Sequence, residues 1–282
     1  MTLSTTTTIG RLRLIRRFRL RGVEFPISEF TLPARLKGHP NGRVPDEMLV
    51  RWVDYQGRSC RMAAEFLRPW QALVWLAWVD RGRRLTFTSP GDVYRTYPQQ
   101  EAGWLRRMSK LPLPGRPSRL CGYPDGVPRR WWLKPFCAGI ACPGTSNHGW
   151  GGGAVDHTTD KGRPVAWLKW LAKWAPRLGY SWEAPSEDWH VRYCLGDEIT
   201  QTVADIERVR AAPPLLVGST GADVVAWQGV VGAHPDGQFG PKTKAAVIAW
   251  QAKQTSWYGG AGLPVDGCID ADDRWALIRG VA

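Results

Sequence analysis

The 282-residue sequence has no long apolar run, no Cys-x-x-C pair and few histidines. Without an apolar run of roughly 20 residues we expect no transmembrane helix. The N-terminal sequence also lacks the apolar region of a secretory signal, so we expect a protein that is made and stays in the cytosol until another system releases it. The scattered cysteines do not support a zinc finger or ribbon and are interpreted mostly as buried apolar residues. Cys137 and Cys142 are near enough in sequence for a disulfide, although a reducing cytosol disfavours one.

Basic residues outnumber acidic ones by 38 to 25, and the excess is confined to the first 212 residues. Residues 213–282 carry five basic and six acidic side chains. A basic body predicts an acidic partner, which could be nucleic acid, anionic lipid or an anionic cell-wall polymer. The arginine-rich segment, residues 11–21, alternates arginine and leucine, as is typical of a strand with one solvent-exposed face. Its arginines could bind a polyanion or prevent aggregation at an exposed sheet edge. Phe18 is its only aromatic residue, so nucleic acid is not the expected partner.

Changes in composition divide the sequence into three predicted parts, with the last boundary at the prolines of AAPPLL. These parts are a basic N-terminal segment packed on the next domain, a main domain and a small domain, over residues 1–40, 41–212 and 213–282. Apolar spacing predicts helices over 63–80, from about Pro98, and over 165–179 and 199–211. We predict strands near 83–88 and 189–195, and a long surface loop over 111–145.

Two segments contain the residue types of a catalytic zinc site. SNHGWGGGAVDH, residues 146–157, places His148 and Asp156 around a glycine run, and EDWH ends at His190. Two imidazoles and one carboxylate supply three protein ligands and leave a fourth position for water. The glycines let the backbone curl so that both side chains of the first segment reach one ion, which would hold this segment in shape.

Glu187 lies three residues before His190, where a carboxylate can act as the base for a metal-bound water. Glu183 is a rival for this role, but we interpret it as a solvated loop charge. His157 is a rival of Asp156 as the third ligand, because it directly follows it in the chain.

Together with DVYRTYPQQ at residues 92–100, these segments resemble the S-x-H-x-x-G-x-A-x-D and E-x-x-H signature of the VanY-type D-alanyl-D-alanine carboxypeptidase and L-alanyl-D-glutamate endopeptidase family. The resemblance covers about residues 41–210. It implies an α+β domain with an antiparallel sheet and zinc in a cleft, a fold shared with the hedgehog signalling domain. The implied site comprises the zinc ligands His148, Asp156 and His190 and the catalytic residues Glu187 and Arg95, of which Glu187 is the base and Arg95 binds or polarises the substrate. Gln99 and Ser146 are implied as lesser substrate contacts.

The sequence departs from the family pattern at two places. Asp156 follows His148 by eight residues, where the family has seven, and a bulging glycine in Gly151–Gly153 could absorb the difference. Val93 occupies a position where the family has a small residue, which puts the packing next to Arg95 in doubt.

Residues 213–282 resemble the three-helix peptidoglycan-binding domain of many wall hydrolases. The resemblance rests on two Trp-Gln pairs, on DGQFGPKT and on LPVDGCIDADDRWALI. Because so small a unit needs its apolar residues for packing, we assign Val224, Trp227, Val247, Trp250, Trp275 and Leu277 to the core. Gln228, Gln251 and the Asp-Gly turns are surface candidates for contact with glycan.

A zinc peptidase joined to a wall-binding module is the architecture of a bacteriophage endolysin. Such an enzyme waits in the host cytoplasm until the membrane is opened, and a virion-associated lysin is the alternative. We expect a monomer that binds bacterial peptidoglycan, with anionic wall polymers as further partners of the basic half. Cleavage of L-Ala-D-Glu is favoured over D-Ala-D-Ala carboxypeptidase activity because it releases the whole stem peptide. A catalytically idle wall-binding zinc protein is the alternative of another class, and the presence of Glu187 and Arg95 argues against it.

Overall fold

The computed structural model describes residues 12–280, without the side chain of Tyr258. Residues 1–11 of the predicted N-terminal segment, including Arg11, lie outside the described residues. The chain has an α+β fold and divides into two compact units. The first unit comprises the residues up to Trp70, Thr86–Thr158 and Arg163–Ile199, and the second comprises Gln71–Leu85, Thr159–Gly162 and the residues from Thr200 onward.

The described residues form eleven strands and seven α-helices. The strands are β1 (Leu14–Leu20), β2 (Val23–Ser28), β3 (Leu49–Val53), β4 (Ser59–Ala63), β5 (Leu85–Phe87), β6 (Met108–Ser109), β7 (Ser118–Cys121), β8 (Arg129–Leu133), β9 (Ala154–Thr159), β10 (Tyr180–Trp182) and β11 (His190–Tyr193). The helices are α1 (Ala64–Arg81), α2 (Tyr97–Arg107), α3 (Val165–Trp174), α4 (Gln201–Ala211), α5 (Ala222–Val231), α6 (Pro241–Gln251) and α7 (Ala271–Gly280). Among these residues, none of the helices has both the length and the apolar character needed to cross a bilayer.

A six-stranded sheet with the order β1-β2-β10-β11-β9-β5 is the centre of the first unit. The pairs β1–β2, β10–β11 and β11–β9 are antiparallel. Strand β2 runs parallel to β10, with Ile27 opposite Trp182. The sheet predicted to be antiparallel is therefore mixed.

Aromatic side chains fill the space between this sheet and α1. Phe66 and Trp70 of α1 are fully buried and make edge-on ring contacts with Tyr193 and Tyr180. Each such side chain removed from water contributes roughly 1.5–3 kcal/mol. The helix predicted over residues 63–80 is confirmed, with Trp70 buried in the core as expected and Trp78 41% exposed.

Two other helices have ends that follow from their sequence. Helix α2 begins with a capping box in which Thr96 and Gln99 bond each other's backbone amide groups. Helix α3 continues into a 3₁₀ turn at Ala175–Leu178, which ends at Gly179 with φ of 86°. A Cβ at Gly179 would collide with the ring of Tyr193, so glycine is required there both for its backbone angle and for space.

The prediction of a long surface loop over residues 111–145 is wrong. Strands β6, β8 and β7 form a three-stranded sheet here, over a small core that contains Trp104, Met108 and Trp131. A disulfide joins Cys121 to Cys142, with Cα atoms 5.7 Å apart, whereas Cys137 is a free thiol. The pairing of Cys137 with Cys142, which the sequence analysis considered and disfavoured, is thus not formed, and the partner of Cys142 lies 21 residues away in sequence.

Residues 213–280 contain the three helices α5, α6 and α7 around a core of their own. The core comprises Leu215, Val224, Trp227, Phe239, Val247 and Ile269, with Val231, Trp250 and Leu277 packed against it. The predicted packing roles of Val224, Trp227, Val247, Trp250 and Leu277 are confirmed. Trp275 is buried as well and contacts the ring of Trp75, which belongs to the same compact unit.

The two glutamines expected to contact glycan are internal. Gln228 and Gln251 are 1% and 2% exposed. The Gln228 side chain bonds Asp236, Gln238 and Thr243 and accepts from the amide of Gly237. Gln251 repeats this arrangement with Asp266, Cys268 and Asp273, and it accepts from the amide of Gly267. Each glutamine thus holds the Asp-Gly turn that follows its helix, and the prediction that the two glutamines lie at the surface is wrong.

We predict that Gln228→Ala and Gln251→Ala each lower the free energy of unfolding by about 1–3 kcal/mol, because each leaves several buried polar groups without a partner. Chemical denaturation of the full chain measures this. The control is Gln254→Ala, which removes one long hydrogen bond of 3.4 Å and should change stability by no more than about 0.5 kcal/mol. Equal losses of stability in all three variants would contradict the proposal that Gln228 and Gln251 hold the Asp-Gly turns.

Candidate metal centre

The pairing of two strands brings the candidate ligands together. Asp156 on β9 lies directly opposite His190, the first residue of β11. Residues opposite each other in an antiparallel pair project from the same face of the sheet. His148 comes from the 3₁₀ turn Asn147–Gly149, which precedes β9.

The three side chains form a compact group. The Oδ1 atom of Asp156 is 2.7 Å from His190 Nδ1 and 3.5 Å from His148 Nε2. One ligand atom from each residue lies within 4.8 Å of the others, so the group could hold a metal ion. Both histidines are buried, and the Asp156 side chain is largely buried.

Hydrogen bonds on the far side of each ring decide which nitrogen faces the group. His148 Nδ1–H donates to the carbonyl of Ala154 at 3.3 Å, which leaves the lone pair on Nε2. His190 Nε2 lies 2.6 Å from Oε2 of Glu183, so its Nδ1 is the nitrogen that faces Asp156. Nε2 of His148 and Nδ1 of His190 therefore face the same site.

The two histidines have opposite charge preferences. Burial lowers the pKa of His148 to about 4, despite the opposing effect of Asp156. Burial also acts to lower the pKa of His190, but hydrogen bonds to Asp156 and Glu183 and the charges of both carboxylates raise it to about 9. A metal ion bound here would replace the proton on His190 Nδ1, since only a deprotonated nitrogen is a ligand.

The glycine-rich segment before β9 is held by backbone hydrogen bonds. The carbonyls of Gly149, Gly151 and Gly153 accept from the amides of Gly42, Ala63 and Tyr193, at 2.8–2.9 Å. Gly151 and Gly152 have φ angles of 68° and 80°, which a residue with a Cβ rarely adopts. These two residues turn the chain into β9, where Asp156 stands eight positions after His148. The sequence analysis expected a metal ion to hold this segment in shape, whereas the structure shows that backbone hydrogen bonds hold it.

His157 points away from the group. Successive side chains of a strand face opposite sides of the sheet, so His157 lies across β9 from Asp156. Its Nε2–H donates to the carbonyl of Asp188 at 3.2 Å, and the ring packs against Trp167. Full burial lowers the pKa of His157 to about 3, so the ring is neutral. Asp156 is therefore the residue that joins the two histidines.

Arg95 lies close to this group. Its backbone amide donates to the carbonyl of His148 at 3.1 Å, and its positive charge acts to lower the pKa of His148. The guanidinium is held by Asp92 at 2.9 Å and by the carbonyl of Gly91 at 3.1 Å. Val93 is fully buried, so the packing next to Arg95 accommodates it.

Asp92 is a component of the site that the sequence analysis missed. It accepts from the hydroxyls of Thr88 and Ser89, at 2.8 and 2.7 Å, and it pairs with Arg95. Burial acts to raise the pKa of Asp92, but these hydrogen bonds and the charges of Arg95 and His148 outweigh burial and lower it. The signal in the sequence was its place three residues before Arg95, the spacing of an ion pair within one turn.

Gln99 and Ser146 have local structural contacts. Gln99 is exposed, and its amide oxygen accepts from the Thr96 backbone in the cap of α2. Ser146 is buried, and its carbonyl accepts from the Asn41 side chain at 2.8 Å. The neighbouring Gln100, which the sequence analysis did not single out, bonds Asn41 and the amide of Gly144, at 3.0 and 2.8 Å.

The loop between β10 and β11 carries both candidate glutamates. Glu187 is partly exposed, and its carbonyl accepts from the amide of His190 at 3.2 Å. The prediction that Glu183 is a solvated loop charge is wrong, because its side chain is 19% exposed and bonds both His190 and Arg192. Burial acts to raise the pKa of Glu183, but these two partners outweigh burial and lower it.

One arginine of the arginine-rich segment helps to hold this loop. Asp188, next to Glu187, is buried and forms ion pairs with Arg21 and Arg163. Its carbonyl also accepts from the ring N–H of Trp182 at 3.3 Å. Arg17 instead pairs with Glu24 of the adjacent strand β2, and Arg13 pairs with Glu29, which directly follows β2. In its described part the segment forms strand β1, as predicted, and three of its arginines make contacts within the protein.

Neither a family model, nor a curated protein, nor a solved structure matches this chain.

Asp156→Ala should abolish stoichiometric metal binding, whereas His157→Gln should retain it, because only Asp156 faces the two histidines. Glutamine preserves the N–H that His157 donates to Asp188, so the variant keeps this buried contact. Elemental analysis after dialysis against zinc measures the bound metal. Loss of metal in His157→Gln together with retention in Asp156→Ala would reverse the assignment.

Proposed function

We propose that this protein is a zinc metallopeptidase that cleaves the stem peptides of bacterial peptidoglycan, as an endolysin does. The observation that carries the proposal is the convergence of His148 Nε2, Asp156 Oδ1 and His190 Nδ1 within 4.8 Å, beside a basic side chain and a glutamate-bearing loop. The sequence resemblance to VanY-type peptidases supports the same assignment and the same residues. The fold proposed for the first unit is that of the same peptidases and the hedgehog signalling domain.

The donor set suits zinc. Two imidazole nitrogens and one carboxylate are typical of catalytic zinc and are a poor match for Mg²⁺ or Ca²⁺, which prefer oxygen ligands. Ligands 2.0–2.1 Å from a tetrahedral zinc lie about 3.3 Å apart. The 3.5 Å between His148 Nε2 and Asp156 Oδ1 is close to this value. The 2.7 Å between His190 Nδ1 and Asp156 Oδ1 is shorter and is the length of a hydrogen bond.

Zinc bound by these three residues would supply Lewis acidity and lower the pKa of a coordinated water. Glu187 is assigned the role of general base, which takes a proton from the attacking water and gives it to the leaving amine. Its support is the place of Glu187 three residues before His190, in a loop held by Asp188. Arg95, fixed by Asp92, is assigned to bind or polarise the substrate, because two of its five N–H donors are used for this fixing and the others can meet an anionic oxygen. Gln99 and Ser146 are assigned lesser substrate contacts.

The cleaved bond and the setting are part of the proposal. Cleavage of L-Ala-D-Glu frees the whole stem from the glycan, which suits lysis better than trimming of terminal D-Ala. Residues 213–282 are proposed to bind peptidoglycan, and the basic first 212 residues to attract anionic wall polymers. The enzyme would remain in the host cytoplasm until lysis.

Glu187→Gln should keep the fold and the bound zinc yet lose catalysis by at least about a hundredfold, because it removes the base while preserving shape. Mass spectrometry of peptides released from purified peptidoglycan measures both the rate and the bond cleaved. Glu47→Gln, an exposed glutamate in another turn of the same unit, is the matched control and should retain full activity.

Two outcomes would contradict the proposal at different levels. Retention of more than about a tenth of the wild-type rate in Glu187→Gln would assign the base to another residue. Release of no peptide by the zinc-loaded wild type would instead favour the idle wall-binding alternative.

A further inference from the structure

The nitrogen of His190 that faces away from the candidate metal group has an acidic partner. Nε2 of His190 lies 2.6 Å from Oε2 of Glu183, whereas the corresponding nitrogen of His148 meets only a backbone carbonyl at 3.3 Å. A carboxylate is a stronger acceptor than a carbonyl, so the shorter contact is also the stronger one. The hydrogen bond that orients the His190 ring is therefore stronger than the one that orients the His148 ring.

The position of Glu183 excludes it from the other roles in the site. Nδ1 and Nε2 lie on opposite sides of the imidazole ring, and Nδ1 is the nitrogen that faces Asp156. Glu183 therefore lies on the side of His190 away from Asp156 and His148, and it does not belong to the group of ligand atoms within 4.8 Å of one another. In this position Glu183 is neither a fourth ligand nor a neighbour of a water bound between the three residues.

Glu183 is itself held in place. Its Oε1 accepts from Nη1 of Arg192, a buried side chain. The guanidinium of Arg192 lies 3.2 Å from the ring centroid of Phe30, so it too is fixed. Glu183 directly follows Trp182, the last residue of β10, and His190 is the first residue of β11, the strand that pairs with β10.

We propose that Glu183 is a positioning residue, which holds His190 as the tautomer protonated on Nε2 and so presents the lone pair of Nδ1 to the metal. The inference rests on the proposed function only in taking His148, Asp156 and His190 as a metal centre. Histidine ligands commonly donate their other N–H to a carboxylate, and loss of this partner weakens metal affinity by about 10–100-fold. Arg192 in turn keeps Glu183 from rotating away from the ring.

The test compares Glu183→Gln with Glu65→Gln in the full-length protein. Glu65 is the matched control, since it is also 19% exposed and also pairs with an arginine, Arg35, in the same unit. The dissociation constant for Zn²⁺ is measured by competition with a chelator. Glu183→Gln should raise it about 10–100-fold, and Glu65→Gln should leave it unchanged.

A second readout separates positioning from general support of the fold. Long-range ¹⁵N–¹H NMR of the zinc-loaded protein should show His190 protonated on Nε2 in the wild type, with a proton signal that shifts in Glu183→Gln. Thermal unfolding of both metal-free variants shows whether they are folded.

The outcomes distinguish this inference from the proposed function. Wild-type zinc affinity and an unchanged Nε2–H signal in Glu183→Gln would overturn the positioning role and leave the metal centre intact. Equal weakening of zinc binding in Glu183→Gln and Glu65→Gln would overturn it as well, because the effect would then be loss of a buried ion pair in general. A wild-type protein that binds no zinc would instead contradict the metal centre itself.

Discussion

The register between β9 and β11 is the constraint on which the candidate site depends. It places Asp156 opposite His190, and a shift by one residue would turn Asp156 to the other face of the sheet and bring His157 in its place. Hydrogen bonds on both sides maintain this register, since Gly153 accepts from Tyr193 and Trp189 accepts from His157, at 2.9 and 2.8 Å. The site is therefore a property of the sheet and of the turn before it.

Charge balance is the second constraint. His190 lies between Asp156 and Glu183, and Arg192 neutralises the far oxygen of Glu183. Isolated buried charges are costly, whereas a chain of paired and hydrogen-bonded groups is tolerated. A divalent cation at the three proposed ligands would replace the proton of His190 and keep the centre near neutrality. The buried carboxylate of Asp188, next to Glu187, is likewise compensated by ion pairs with two arginines.

Local patterns in the sequence predicted the parts of the structure that depend on neighbouring residues. The apolar spacing of α1, the start of α2 near Pro98 and the alternation of β1 were all visible in short windows. Partners distant in sequence could not be predicted this way. The contact of Glu183 with His190 depends on the end of a hairpin, and the disulfide of Cys121 depends on a sheet whose strands the proline-rich composition of residues 111–145 hid. Gln228 and Gln251 were assigned to the surface because polarity suggests exposure, whereas each is buried and hydrogen-bonded to the turn that follows its helix.

We propose that His148, Asp156 and His190 bind one zinc ion through two imidazoles and a carboxylate. X-ray absorption at the zinc edge of the purified protein tests this ligand set directly, since the spectrum reports the atoms around the metal. We predict a first shell of nitrogen and oxygen alone at about 2.0–2.1 Å, with outer-shell scattering from two imidazole rings. A shell containing sulfur at about 2.3 Å would place the metal on the cysteines and contradict the account.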